Sequence, residues 1–194
     1  MALLVYVDDI VITGNNVDEI EKFKSFLNSK FMIKDLGPLK YFLGIEVLDN
    51  DIGLCLSQRK YCLDLLHEYG LLACKPAATP LQQNVVLSHV ETENDKFLSN
   101  MTEYQKLVGK LIYLSVTRPD ISYAVHCLSQ HMHAPLVSHF TAALRVLRYL
   151  KQAPGTGIQF KYDNRLSLYA FSDADRAKCL VSRKSVSGFF CLFL

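Results

Sequence analysis

A run of apolar residues broken at its centre by two adjacent aspartates, LLVYVDDIVITG at residues 3–14, constrains the fold more than any other feature of the chain. The β-branched and aromatic side chains on either side favour strands, and a like-charged pair is not buried without partners. Residues 2–13 therefore read as a β-hairpin folded about Asp8 and Asp9, with a two-residue apex. Two-residue turns ordinarily use Asn-Gly or Asp-Gly, because their central positions take positive φ. Glycine is absent here, so something other than turn chemistry keeps the second acid. Two carboxylates on a rigid apex, joined by a third from a neighbouring strand, form a donor set able to hold two magnesium ions about 3.5–4 Å apart for in-line phosphoryl displacement.

The pattern downstream alternates between the two periodicities. Asn15 and Asn16 offer N-caps, with Glu19 three residues after Asn16, and Val17, Ile20, Phe23, Phe26 and Leu27 follow at helical spacing until DLGPL ends the helix. KYFLGIEVLDNDIGLCLSQ reads as a second hairpin, turning at Asp49, Asn50, Asp51 and Gly53. Ser57 then caps a helix with the stripe Tyr61, Cys62, Leu65, Leu66 and Tyr69, and Gly70 ends it. Residues 74–101 have no sustained period and contain prolines, which predicts a linker or surface excursion. Three helices follow: one capped by Thr102 with Gln105, one capped by Asp120, and one opened by Pro135 that runs to Lys151 before APGTG. LSLYAFSDAD and SVSGFFCLFL alternate like a closing pair of strands.

Half of the 194 residues are hydrophobic and 21% are charged, enough for one packed core and a small second domain. Six cysteines lie mostly inside apolar patterns without a C-x-x-C pair, which favours reduced thiols used as core filler in an intracellular protein. No apolar run reaches the length of a membrane span, and no signal peptide is expected. The net charge of +2 conceals an asymmetry: residues 1–101 hold nine basic and fourteen acidic side chains, whereas residues 102–165 hold eight and three. An anionic partner is expected at the middle of the chain.

YVDD between apolar strands resembles the catalytic hairpin of reverse transcriptases. Together with FMIKDLGPLKYFLGIEV, KLIYLSVTRPDISYAV, RVLRYLK and SDAD…SRKSVSGF, the chain is similar over essentially its whole length to the pol polyprotein of copia-type LTR retrotransposons. The resemblance implies an α+β fold: a partial palm of antiparallel strands plus helix, with its primer-grip hairpin (1–73), the excursion (74–101), a helical thumb and connection (102–161) and a truncated ribonuclease H-like hairpin (162–194). It implies RNA-directed DNA polymerase chemistry with Mg2+ or Mn2+, held by Asp8 and Asp9 as two of three catalytic carboxylates. Tyr6 would lie near the incoming nucleotide or primer end, and Tyr41, Phe42, Leu43 and Gly44 would belong to the primer grip, although an ordinary core hairpin explains the same residues. The implied partners are an RNA template, an RNA–DNA hybrid or DNA primer, and the rest of the polyprotein, in a cytoplasmic or nuclear retroelement particle.

In RVLRYLK, Arg145, Arg148 and Lys151 recur every three residues beside the apolar Leu144, Val146, Leu147 and Leu150. Such a row can follow a phosphate backbone, with Arg118, Lys106 and Lys110 adding to it, or can be a solvated face. AFSDAD is similar to the first strand of ribonuclease H, which makes Asp173 its leading acid and places Asp175 on the same strand face. Arg176 and Lys178 stand where that family generally has tryptophan and glycine, and the sequence stops before further nuclease acids. Because the sequence starts inside the catalytic hairpin, the expectation is a fragment inactive on its own, or alternatively a non-catalytic nucleic-acid-binding remnant or an unexpressed degraded copy. The histidines of HCLSQHMHAPLVSH, with His126 and His133 seven apart and His131 and His133 diverging, read as polar helix surface rather than a zinc site.

Overall fold

The computed structural model describes residues 1–83, 87–162, 167–174, 176, 183, 185 and 187–193. It is a mixed α and β chain with antiparallel sheets, packed as two units, Met1–Leu43 and Gly44–Leu194. No described helix is long and apolar enough to cross a membrane.

In the first unit, β1 (Ala2–Tyr6) pairs antiparallel with β2 (Asp9–Thr13), Tyr6 opposite Asp9 and Ala2 opposite Thr13. The apex is Val7–Asp8, not Asp8–Asp9 as the sequence suggests. The shift leaves Asp8 in the turn and moves Asp9 into the strand, so two like charges do not share the two central turn positions. Asn16 caps α1 (Val17–Lys30) by accepting the Glu19 N–H at 3.2 Å. Lys24 ties the helix to the following loop through Asp35 at 2.9 Å, and Asp35 also accepts the Gly37 N–H. The two-residue β3 (Tyr41–Phe42) closes the unit. No side chain of residues 1–43 is buried.

The second unit holds the core. β4 (Ile45–Asn50) and β5 (Gly53–Ser57) form a hairpin, and β6 (Gly157–Lys161) adds to β5 with Gly157 opposite Ser57 and Lys161 opposite Gly53. A Cβ on Gly157 would lie 2.0 Å from the Leu56 carbonyl oxygen, and one on Gly53 1.9 Å from that of Phe160, so both positions admit only glycine. β6 carries a local signal of only five residues, directly after the helix-ending APGT, too short to predict a strand by itself.

Helix α2 (Arg59–Glu68) follows β5 directly. Its cap is not Ser57, which is buried at the end of β5; the Lys60 N–H is accepted by the Glu46 carboxylate at 2.7 Å, a cap supplied by β4. Helix α3 (Met101–Leu114) is capped by Asn100, which accepts the Glu103 N–H at 3.2 Å while its amide donates to the Glu103 side chain. That reciprocal pair replaces the Thr102 and Gln105 box. Asp120 caps nothing: it lies in a 3₁₀ turn, Pro119–Ile121, before α4 (Ser122–Ser129), and its carboxylate turns back to Arg118. Helix α5 (Val137–Leu150) completes the bundle.

Cys62, Leu65 and Leu66 of α2 pack with Leu107 and Leu111 of α3, Leu128 of α4, and Val146, Leu147 and Leu150 of α5 in one cluster. Each large aliphatic side chain buried in this way contributes about 1.5–3 kcal/mol, which makes the four-helix cluster the stabilising centre of the unit. Burial pushes the Cys62 thiol up to about 11, so it stays a protonated core group. The described cysteines are all free thiols. A last hairpin, β7 (Leu168–Ala174) with β8 (Ser187–Phe193), pairs Asp173 with Gly188.

Candidate functional site

The hairpin β1–β2 carries the acidic pair to an exposed tip. Tyr6 and Asp9 are directly cross-strand, hence neighbours on one face of the ribbon, and Asp8 occupies the turn beside them. Both acids and Tyr6 are exposed, and no cation pairs with either carboxylate among the described residues. Val7 holds the turn with φ of +49°, a left-handed conformation that is rare for a β-branched residue. Among the described residues, no three His, Cys, Asp or Glu gather to hold a metal ion, so Asp8 and Asp9 stand as a pair.

Tyr41 and Leu43 are exposed, and Phe42 and Gly44 half-buried. Leu43 and Gly44 take φ of +49° and +79° in succession. A Cβ on Gly44 would meet the Tyr113 hydroxyl of α3 at 3.0 Å, so glycine serves both the backbone conformation and the close approach.

The basic row on α5 is engaged within the chain. The Arg145 guanidinium donates to the Thr79 hydroxyl at 3.1 Å, Arg148 Nε to the Lys75 carbonyl at 3.0 Å, and Lys151 Nζ to the Cys74 carbonyl. The Ala77 N–H returns to the Arg148 carbonyl at 3.1 Å. Residues 74–79 are thus a strap laid along the C-terminal half of α5, and the threefold spacing of the cations matches its successive acceptors. The threefold row is visible in the sequence, but that it supplies donors to the carbonyls of a segment without its own hydrogen-bond ladder shows only in the fold.

Arg118 is a buried structural cation, 4% exposed. Its guanidinium makes a bidentate pair with Asp120 at 2.9 and 2.7 Å and donates to the Ala153 carbonyl at 3.0 Å, and the Tyr149 hydroxyl donates to the same Asp120 at 2.8 Å. Burial alone disfavours both charges, yet the pairing wins, raising Arg118 and holding the Asp120 carboxyl below its usual range. A phosphate contact at Arg118 would require unmaking that pair. Lys110 is bound to Glu68 at 2.6 Å, and Lys106 is exposed.

Asp173 is exposed on β7, and Asp175 and Lys178 lie outside the described residues. The histidines depart from the expected polar helix surface. His126 is exposed and bonded to Gln130 at 3.1 Å, but His131 and His139 are buried, their rings stacked 3.8 Å apart between centroids. The sequence motif hid this because the third ring of the column, His89, comes from the unpatterned excursion.

The sequence profile of the reverse transcriptase (RNA-dependent DNA polymerase) family matches residues 1–83. The chain is 47% identical over 188 residues to the retrovirus-related Pol polyprotein from transposon RE2 of Arabidopsis thaliana, covering 96% of this chain and 13% of that one. It is 42% identical over 194 residues to an uncharacterized mitochondrial protein of Arabidopsis thaliana, covering 100% and 79%. It is also 35% identical over 197 residues to the retrovirus-related Pol polyprotein from transposon TNT 1-94 of Nicotiana tabacum, covering 98% and 15%. The chain therefore spans a small part of these Pol polyproteins and most of the mitochondrial protein. No solved structure matches the chain.

Proposed function

Because the chain belongs to the copia-type retrotransposon Pol family, in its reverse transcriptase part, we propose that it is the segment of an RNA-directed DNA polymerase that presents Asp8 and Asp9 as two of three metal-binding carboxylates. The observation that carries this reading is the exposed hairpin tip bearing both acids, inside the stretch 1–83 that matches the family. The donor set fits magnesium, a hard cation that keeps several waters and takes one or two carboxylates together with substrate phosphates. Bound there, magnesium would stabilise charge on the attacking and leaving oxygens of nucleotidyl transfer. Tyr6, beside Asp9, offers a flat ring to the primer end, and Tyr41, Phe42, Leu43 and Gly44 grip the primer strand.

The partners in this reading are an RNA template and a DNA primer or RNA–DNA hybrid. Arg145, Arg148 and Lys151 contribute to the hybrid backbone only through donors not already given to residues 74–79. β7 and β8 are the start of a ribonuclease H-like domain, with Asp173 as its leading acid. Among the described residues no third acid gathers with Asp8 and Asp9; in this reading the third acid comes from another part of the polyprotein, and the chain alone extends no primer.

Primer extension tests this with the chain alone and with a copia-type Pol polyprotein carrying this sequence at the matching position. The chain alone is expected to give no product. The polyprotein is expected to give magnesium-dependent extension that Asp8→Asn or Asp9→Asn lowers at least about 100-fold, the size expected for losing one charge-stabilising group. Extension at the parental rate by either variant overturns the proposal. Salt-sensitive hybrid binding without extension in the polyprotein supports a non-catalytic binding role instead.

A further inference from the structure

Three imidazole rings from three separate segments stack in a column: His89 from the excursion, His131 from the loop after α4, and His139 from the first turn of α5. The ring centroids lie 4.2 Å apart for His89 and His131 and 3.8 Å for His131 and His139, with tilts of 33° and 34°. The column runs inward, since His89 is exposed, His131 keeps 4% of its surface and His139 none. Stacked rings send their nitrogen lone pairs sideways, away from any shared point, and no metal-holding group of three occurs among the described residues. The chemistry open to the column is protonation.

Charging the rings breaks or strands contacts that the neutral column keeps, even though neutral His139 already carries its proton on a buried, unpartnered Nε2. His139 Nδ1 accepts the Leu136 N–H at 3.0 Å, so a proton there removes an acceptor from the start of α5. His131 Nδ1 is buried without a hydrogen-bond partner, so an added N–H would have no acceptor. Two imidazolium rings at stacking distance would also repel. Among the described residues, Asp95 from the excursion and Tyr104 from α3 also face the column. Asp95 accepts the Ser138 N–H at 3.0 Å; the Tyr104 ring lies 6.5 Å from that of His139, and its hydroxyl donates to the Leu128 carbonyl at 2.7 Å.

The excursion is fastened where the column ends. Val137 N–H donates to the Lys96 carbonyl at 3.0 Å and Leu98 N–H to the Pro135 carbonyl at 2.7 Å, beside the Ser138 bond to Asp95. We propose that the column of His89, His131 and His139 is a proton-operated latch that releases residues 87–98 from the start of α5 as the pH falls.

Burial first, then the neighbouring His139 and His89, lower His131 from 6.5 to about 4. Burial lowers His139 as well, while the Ser88 backbone and Asp95 pull it upward. The opened latch therefore takes up a proton more readily than the closed one. Closure is complete above about pH 6.5, weakens as the pH falls towards 4, and through His131 changes no further below that. If His131 alone responds, the open fraction rises roughly 30-fold between pH 7.5 and pH 5.

Hydrogen exchange on the full chain, corrected for the intrinsic pH dependence of exchange, reads this directly. The Leu98, Val137 and Ser138 amides are expected to exchange roughly 30-fold faster at pH 5 than at pH 7.5, while those of Leu65 and Leu66 change little. His131→Phe keeps a flat ring that cannot take a proton, and should remove the His131 part of the response, leaving at most the smaller part carried by His139. A flat wild-type profile, a response of undiminished size in His131→Phe, or one that begins only below the ordinary carboxylate range, where the lowered Asp95 takes up its proton, overturns the proposal. Should His131→Phe fail to fold, imidazole NMR on the wild-type chain decides: titration of His131 below about pH 5.5 supports the latch, and titration at or above that overturns it.

Discussion

Val7 is the residue on which the acidic tip turns. Its φ of +49° costs a β-branched side chain about 1–3 kcal/mol, a strain of the kind found where a backbone serves a site. Val7→Gly is expected to relieve it and slow amide exchange across Val5 and Ile10, with both carboxylates left in place; faster exchange would mean the turn is not strained. The second such residue is Asp120. Replacing it by Asn leaves the buried Arg118 guanidinium short of its counter-charge, which should cost about 2–3 kcal/mol in urea unfolding, below the value for fully buried pairs because Asp120 is partly exposed. Its depressed carboxyl sets the sign of the acid response: the stabilisation is present above the ordinary carboxylate value near 3.8 and is lost as the pH falls through the lower folded value. Asp120→Asn should remove that acid-side slope. These roles were hidden in the sequence because TRPD reads equally well as a helix cap, and only the arrival of Ala153 and Tyr149 shows where the charges go.

At the scale of elements, local signals placed the helices and distant ones finished them. The stripes of α2 and α5 and the Asn16 cap of α1 were legible because they repeat within a few residues. The cap of α2 was not, since its acceptor, Glu46, is fourteen residues away on another strand. Glu46→Ala should destabilise the second unit by about 1 kcal/mol, while Ser57→Ala leaves the cap intact and is read separately from it. β6 escaped for a related reason: five residues acquire strand character only by pairing with β5. Gly157→Ala tests that pairing, because its Cβ would overlap the Leu56 carbonyl; a loss of more than about 3 kcal/mol is expected by thermal or urea unfolding, and a loss under 1 kcal/mol would mean β6 is not seated on β5. The strap along α5 gives a further check. Lys151→Met should speed amide exchange at Ala77, since the cation and the Ala77 bond hold the same stretch of chain.

At the scale of the whole molecule the burial is uneven, with a four-helix core in the second unit and no buried side chain in residues 1–43. Protection from exchange should therefore concentrate in α2, α3 and α5, and the amides of β1 and β2 should exchange orders of magnitude sooner. Equal protection in both units would show that burial does not govern local stability here. The sequence by itself determined the paired acids at a strand bend, the helices with the hairpins other than β6, the apolar faces of the bundle and the family, because these depend on residue type and short-range period. Only the tertiary structure decided that Arg145, Arg148 and Lys151 face a strap, that Arg118 is a buried ion-pair partner and that three histidines form a column. Each of those depends on which of several possible partners the fold brings up, from Asp120 beside Arg118 to Cys74, 77 residues from Lys151, and a side chain's charge or polarity does not reveal that choice.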